Sequence, residues 1–88
     1  MDLIRTLNSV GKSTFVKYYY NFKNESREAC IAAFTEDYTD KSKSTRTSYA
    51  QRIFREGRQK DALQLIINSN RVDDKTIARA REILKSEC

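Results

Sequence analysis

Proline is missing from the 88 residues, and glycine occurs only twice. An all-β domain needs Gly- and Pro-rich turns at short intervals, so this composition argues for helices. Histidine is absent as well. That removes the commonest general base and the commonest metal ligand, and two distant cysteines, Cys30 and Cys88, do not make a zinc site. Cys30 lies in the apolar run Ala29-Cys30-Ile31-Ala32-Ala33-Phe34 and reads as a small core residue, while Cys88 reads as a free terminal thiol. No stretch approaches the roughly 20 apolar residues of a membrane span, and Met1-Asp2-Leu3-Ile4-Arg5 lacks the apolar run of a signal peptide. The expectation is a protein of the cytoplasm or the nucleoid, without a membrane partner.

What remains is a chain with five tyrosines, four phenylalanines and 33% charged residues. A chain of this size buries about 60–70% of the surface its unfolded form exposes, enough for one core. The expected organisation is one helical domain over residues 1–88, all-α, a compact bundle of five to six short helices.

Leu3, Ile4, Leu7 and Val10 recur at helical spacing before Gly11. Ser13 can cap a second helix, continuous with the first or not, whose stripe is Phe15, Val16, Tyr19 and Phe22. Asn24 or Ser26 can cap a third helix carrying Cys30, Ile31 and Phe34 and stopping near Thr35. After the connector Glu36-Asp37-Tyr38-Thr39-Asp40, a fourth helix over residues 42–56 has Tyr49, Ala50, Ile53 and Phe54 inward and Gly57 as its stop. A fifth, from about residue 58 to 68, buries Ala62, Leu63, Ile66 and Ile67. Asp73 caps the sixth, with Val72 and Ile77 spaced as a hydrophobic staple and Ala80 and Leu84 continuing the face.

Charge is distributed unevenly. Between residues 41 and 60, seven basic residues (Lys41, Lys43, Arg46, Arg52, Arg55, Arg58, Lys60) face one acid, Glu56, so this stretch carries +6 and the rest of the chain −1. A basic patch concentrated on one element is the electrostatic footprint expected for a phosphate backbone. On a helical wheel Lys41, Ser44, Ser48, Gln51, Arg52 and Arg55 fall outward, uninterrupted by acid, and Arg46 falls on the inner side near the helix start. Arginine offers a planar fork to guanine or phosphate, glutamine can pair with adenine, and serine suits phosphates or base edges. The candidate nucleic-acid residues are therefore Lys41, Lys43, Ser44, Arg46, Ser48, Gln51, Arg52, Arg55, Arg58 and Lys60.

The short helix over residues 25–34, the connector and the basic helix over residues 42–56 together resemble a helix-turn-helix motif with its second helix as the recognition element. The connector departs from the compact form, which has three or four residues and often a glycine. The resemblance implies a DNA-binding module of the small transcriptional-regulator class, acting as a homodimer or within a larger assembly because one helix reads only a few base pairs. RNA is not separated from DNA by these residues. The rival reading is a protein-interaction module, an adaptor or inhibitor whose basic helix docks on an acidic protein partner.

Other motifs have plainer explanations. Gly11-Lys12-Ser13-Thr14 resembles the end of a phosphate-binding loop, but Thr6 stands where that loop needs glycine, and no strand precedes it. Glu36, Asp37 and Asp40 sit at a helix end and a cap, where carboxylates have structural reasons to be. Ser48 and Tyr49 have no partner that would make either a nucleophile, so no enzymatic activity, cofactor or metal is expected. In Tyr18-Tyr19-Tyr20 the middle residue faces inward and its neighbours pack at the core's edge.

Overall fold

The chain is described here over residues 1–87 of a computed structural model, and all regular structure among the described residues is helical. Among the described residues seven helices follow one another: α1 (Leu3–Val10), α2 (Lys12–Lys17), α3 (Tyr19–Asn24), α4 (Arg27–Ala33), α5 (Asp40–Arg55), α6 (Gln59–Ile67) and α7 (Asp74–Glu87). Cys88, expected as a free terminal thiol, lies outside the described residues.

Most helix ends follow from local capping chemistry. The first backbone N–H groups of a helix have no internal acceptor, and a side-chain oxygen just before the helix supplies one. Asp2, Ser26, Thr39 and Asp73 do this for α1, α4, α5 and α7, accepting from the N–H groups of Arg5, Ala29, Ser42 and Thr76. At the end of α5, Gly57 adopts φ +68°. That left-handed turn lets the Arg58 N–H reach the Ile53 carbonyl and the Gly57 N–H reach that of Phe54, closing the helix in a Schellman arrangement.

The count of seven, rather than five or six, has one main cause. The expected second helix is interrupted at Tyr18, whose backbone (φ −108°, ψ 22°) leaves the helical region. The interruption allows two consecutive tyrosines to be buried in different directions. Tyr18 packs on Phe34 with ring centroids 4.8 Å apart, whereas Tyr19 meets Phe15 and Phe54. Tyr18 thus lies in the core with its hydroxyl on Glu36 and Thr35, and Tyr20 packs edge-on to Tyr19 at the surface.

α5 is the centre of the assembly, touching α1, α3, α4 and α6, while α6 and α7 form a hairpin whose second arm also reaches α2. Phe15 sits in the middle of an aromatic cluster, stacked on Phe22 and Phe54 and edge-on to Tyr19. Leu7, Val10, Ile53, Leu63, Ile66 and Ile83 complete the fully buried aliphatic part. The inner face of α5 is rotated from the expected one: Thr47, Ala50 and Ile53 are buried, and Tyr49, expected inward, is exposed.

Candidate nucleic-acid interface

A helix buried on one side presents its other side as a ridge, and α5 does so over its whole length. Asp40, Lys41, Thr45, Ser48, Tyr49, Arg52 and Arg55 are its exposed residues, falling in rows three or four positions apart, and from Lys41 to Arg55 they include no acid. Arg52 and Arg55 stand in the last turn, where the partial negative charge of the helix end favours cations.

Two residues from other helices extend this face. Arg27 opens α4 immediately after its Ser26 cap and lies across α5, donating from Nε to Ser48 Oγ at 3.0 Å and from Nη2 to Ser44 Oγ. Its guanidinium is thereby held against the ridge by two hydroxyls. On the other flank, Arg5 of α1 lines a groove with Tyr49 and Arg52, continued toward the start of α5 by Ser9, Thr45 and Lys41. Sequence reasoning missed both arginines, because each comes from a helix whose own pattern is unremarkable. The available clue for Arg27 was its place in the first turn of the helix before the basic one.

Among the described residues, no carboxylate lies within 4 Å of a cationic nitrogen of Arg5, Arg27, Lys41, Lys43, Arg52, Arg55 or Lys60, since the ion pairs are Lys17–Glu36, Lys23–Glu87, Arg58–Asp61 and Arg79–Glu82. A surface that leaves its cations unpaired keeps a positive potential available to a phosphate. Three acids lie near its ends, Asp40 in the first turn of α5, Asp2 in the groove and Glu56 at the α5 terminus; Asp2 accepts from the Arg5 backbone N–H at 3.2 Å.

Three expected site residues are placed otherwise. Gln51, expected outward, turns in and donates from Nε2 to the Glu25 carbonyl at 3.0 Å and toward that of Phe22 at 3.5 Å. The physical reason is the end of α3, whose last carbonyls have no helical partner. Arg46 is half-buried: its Nη1 donates to the Val10 carbonyl at 2.7 Å, its Nε to Ser42 Oγ at 3.1 Å, and its guanidinium lies 4.1 Å from the centre of the Tyr38 ring. It fastens α1 and the connector to α5. Arg58 pairs with Asp61 at 2.7 Å and lines a separate groove with Met1, Ile4 and Leu65. Lys43 is half-buried, and Lys60 is exposed on α6 rather than on the ridge. Ser44 and Ser48 serve chiefly to hold Arg27.

Among the described residues no three His, Cys, Asp or Glu side chains gather as a metal site requires, and no helix is long and apolar enough to cross a membrane. Cys30 is buried and donates its thiol to the Asn21 carbonyl at 3.2 Å; burial pushes its pKa up, away from the reactive thiolate. No protein-family model, curated protein or solved structure matches this chain.

Proposed function

We propose that this protein is a nucleic-acid-binding module, with duplex DNA as its target, that presents the outer face of α5 to the phosphate backbone and uses α4 and α5 as a helix-turn-helix-like pair. The observation that supports this reading is the run of unpaired cations on the ridge, Lys41, Arg52 and Arg55, flanked by Arg27 and Arg5 from two other helices. Counterion release from a polyanion rewards such a surface, whereas an ordinary solvated helix face interleaves acids with its bases. With Gln51 turned inward, few side chains remain for base edges. Binding is then dominated by phosphates and only weakly dependent on sequence, and useful specificity would come from a second copy on an adjacent half-site.

The test is a fluorescence-anisotropy titration of a mixed-sequence duplex at several salt concentrations. About four to six neutralised phosphates give a slope of log K against log salt near −4 to −5. Absence of binding at low salt would overturn the reading.

A further inference from the structure

The exposed aromatic residues of a small helical domain normally lie along the edge of the core, and Tyr20 is of that kind: it is 36% exposed but its ring meets Tyr19 and Lys23. Tyr49 is equally exposed and differs in its surroundings. Among the described residues its ring has no aromatic neighbour and no cation over its face, and its hydroxyl makes no hydrogen bond. It stands in the groove between α1 and α5, a cleft of about 440 Å³ whose lining includes Arg5 on one wall and Arg52, one helical turn further along α5, on the other. The volume lies within the range of about 300–1,000 Å³ usual for clefts that hold small organic ligands.

An unpartnered aromatic ring that shares a cleft with two arginines matches the chemistry of a nucleotide. The ring offers a stacking surface for a base of any sequence, and two arginines can share the oxygens of one phosphate. Within a duplex each base is already stacked on both sides, so only an unpaired or extruded nucleotide can use the ring. Asp2 lines the same cleft and accepts from the Arg5 backbone N–H through one carboxylate oxygen, and the two arginines outweigh its single negative charge. Ser9 is likewise engaged, donating to the Arg5 carbonyl at 3.1 Å.

We propose that the Arg5–Tyr49–Arg52 cleft is a subsite for a single unpaired nucleotide, with the base stacked on Tyr49 and its phosphate bridged by Arg5 and Arg52. This rests on the reading of α5 as a nucleic-acid surface and adds to it. The ridge engages the backbone of a duplex, and the cleft selects substrates in which a strand is free, such as overhangs or flaps.

Two labelled probes of equal length, a mixed-sequence duplex and a single strand, distinguish the parts. Stacking is worth about 5- to 150-fold in affinity per base, so Tyr49→Leu, which keeps the bulk but not the π face, should weaken single-strand binding by about tenfold or more. It should alter duplex binding less than about twofold, and Tyr49→Phe should restore the single-strand affinity. Because Tyr49 is exposed, the melting temperature of both variants should match the wild type, which makes the comparison interpretable. If Tyr49→Leu leaves single-strand binding unchanged, or weakens both probes equally, the subsite is overturned while the duplex reading stands. If wild-type protein binds neither probe, both fall.

Discussion

Arg46 occupies the space that a side chain at position 11 would need: a Cβ built on Gly11 would lie 2.8 Å from Arg46 Nη1. The same nitrogen donates to the carbonyl of Val10, the last residue of α1, and Gly11 itself turns at φ +93°, a conformation that other L-residues rarely adopt. The turn after α1 and the arginine of α5 therefore fit each other. Gly11→Ala should destabilise the fold by about 1–3 kcal/mol in urea denaturation, from backbone strain and crowding together. Arg46→Ala should cost a similar amount, about 1–3 kcal/mol, through the unpaired Val10 carbonyl and the lost contact with Tyr38, and Arg46→Lys should not rescue it because an ammonium cannot reproduce the planar fork. An Arg46→Ala protein with wild-type stability but tenfold weaker nucleic-acid binding would return Arg46 to the binding face.

Removing the ridge cations should do the opposite. Arg52→Ala with Arg55→Ala is expected to shallow the salt slope of duplex binding by about 2, roughly one per lost phosphate contact. Stability should change by less than about 0.5 kcal/mol, as is usual for exposed positions without partners. A large loss in melting temperature with an unchanged slope would show these arginines to be structural.

Much of the helix layout was legible because its punctuation is chemical and local. Gly57, Asp73, Ser26 and Gly11 each sit where a terminus needs them, and Asp73 accepts from both the backbone and the hydroxyl of Thr76. The break at Tyr18 was not legible, since no breaker residue stands there and the cause is the burial of two neighbouring rings in different directions. Tyr49 was placed inward and Thr47 was not, because on a narrow buried stripe a wheel favours the larger apolar side chain. The site was legible only as a basic helix. The inward turn of Gln51 answers open carbonyls at the end of α3, and the two added arginines arrive from elements distant in sequence: Arg27 of α4 meets Ser44 and Ser48 across 17 and 21 positions, and Arg5 of α1 shares a groove with Tyr49 and Arg52.

Thr47 illustrates the cost of a core position filled by a polar residue. It is fully buried, and among the described residues its hydroxyl has no hydrogen-bond partner. Thr47→Val should stabilise the protein by about 1 kcal/mol, a rise of about 4–8 °C in melting temperature for a chain of this size, with nucleic-acid binding unaffected. A drop in stability would mean that the hydroxyl is satisfied in solution.

Acid should weaken the connector before α5. Glu36 accepts from the Tyr18 hydroxyl at 2.6 Å and from Lys17 Nζ at 2.9 Å. Partial burial pushes its carboxyl up, but the hydrogen bonds from Tyr18 and Lys17 outweigh this and hold the pKa at about 2, against an ordinary 4.5. A depressed carboxylate contributes stability that is fully present above the unfolded value and disappears as the pH falls through the folded one. The stability gap between wild type and Glu36→Gln should therefore be constant above pH 5 or so, the region where both folded and unfolded carboxyls are ionised, and narrow progressively below it. A gap independent of pH would count against this account.

The contact of Arg46 with Val10 joins positions 36 apart in sequence, whereas Arg27 meets Ser48 across 21. Closing the longer loop costs more entropy, so we expect α4 and α5 to find each other early and α1 to dock late in folding. Leu7→Ala should then accelerate unfolding far more than it slows refolding, a partition that stopped-flow chevrons resolve. Such an order has a consequence under the proposed function: chains that have transiently released α1 keep the ridge of α5 but lose the wall that carries Arg5, so partly open molecules are expected to retain duplex binding while their hold on a free strand is weakened.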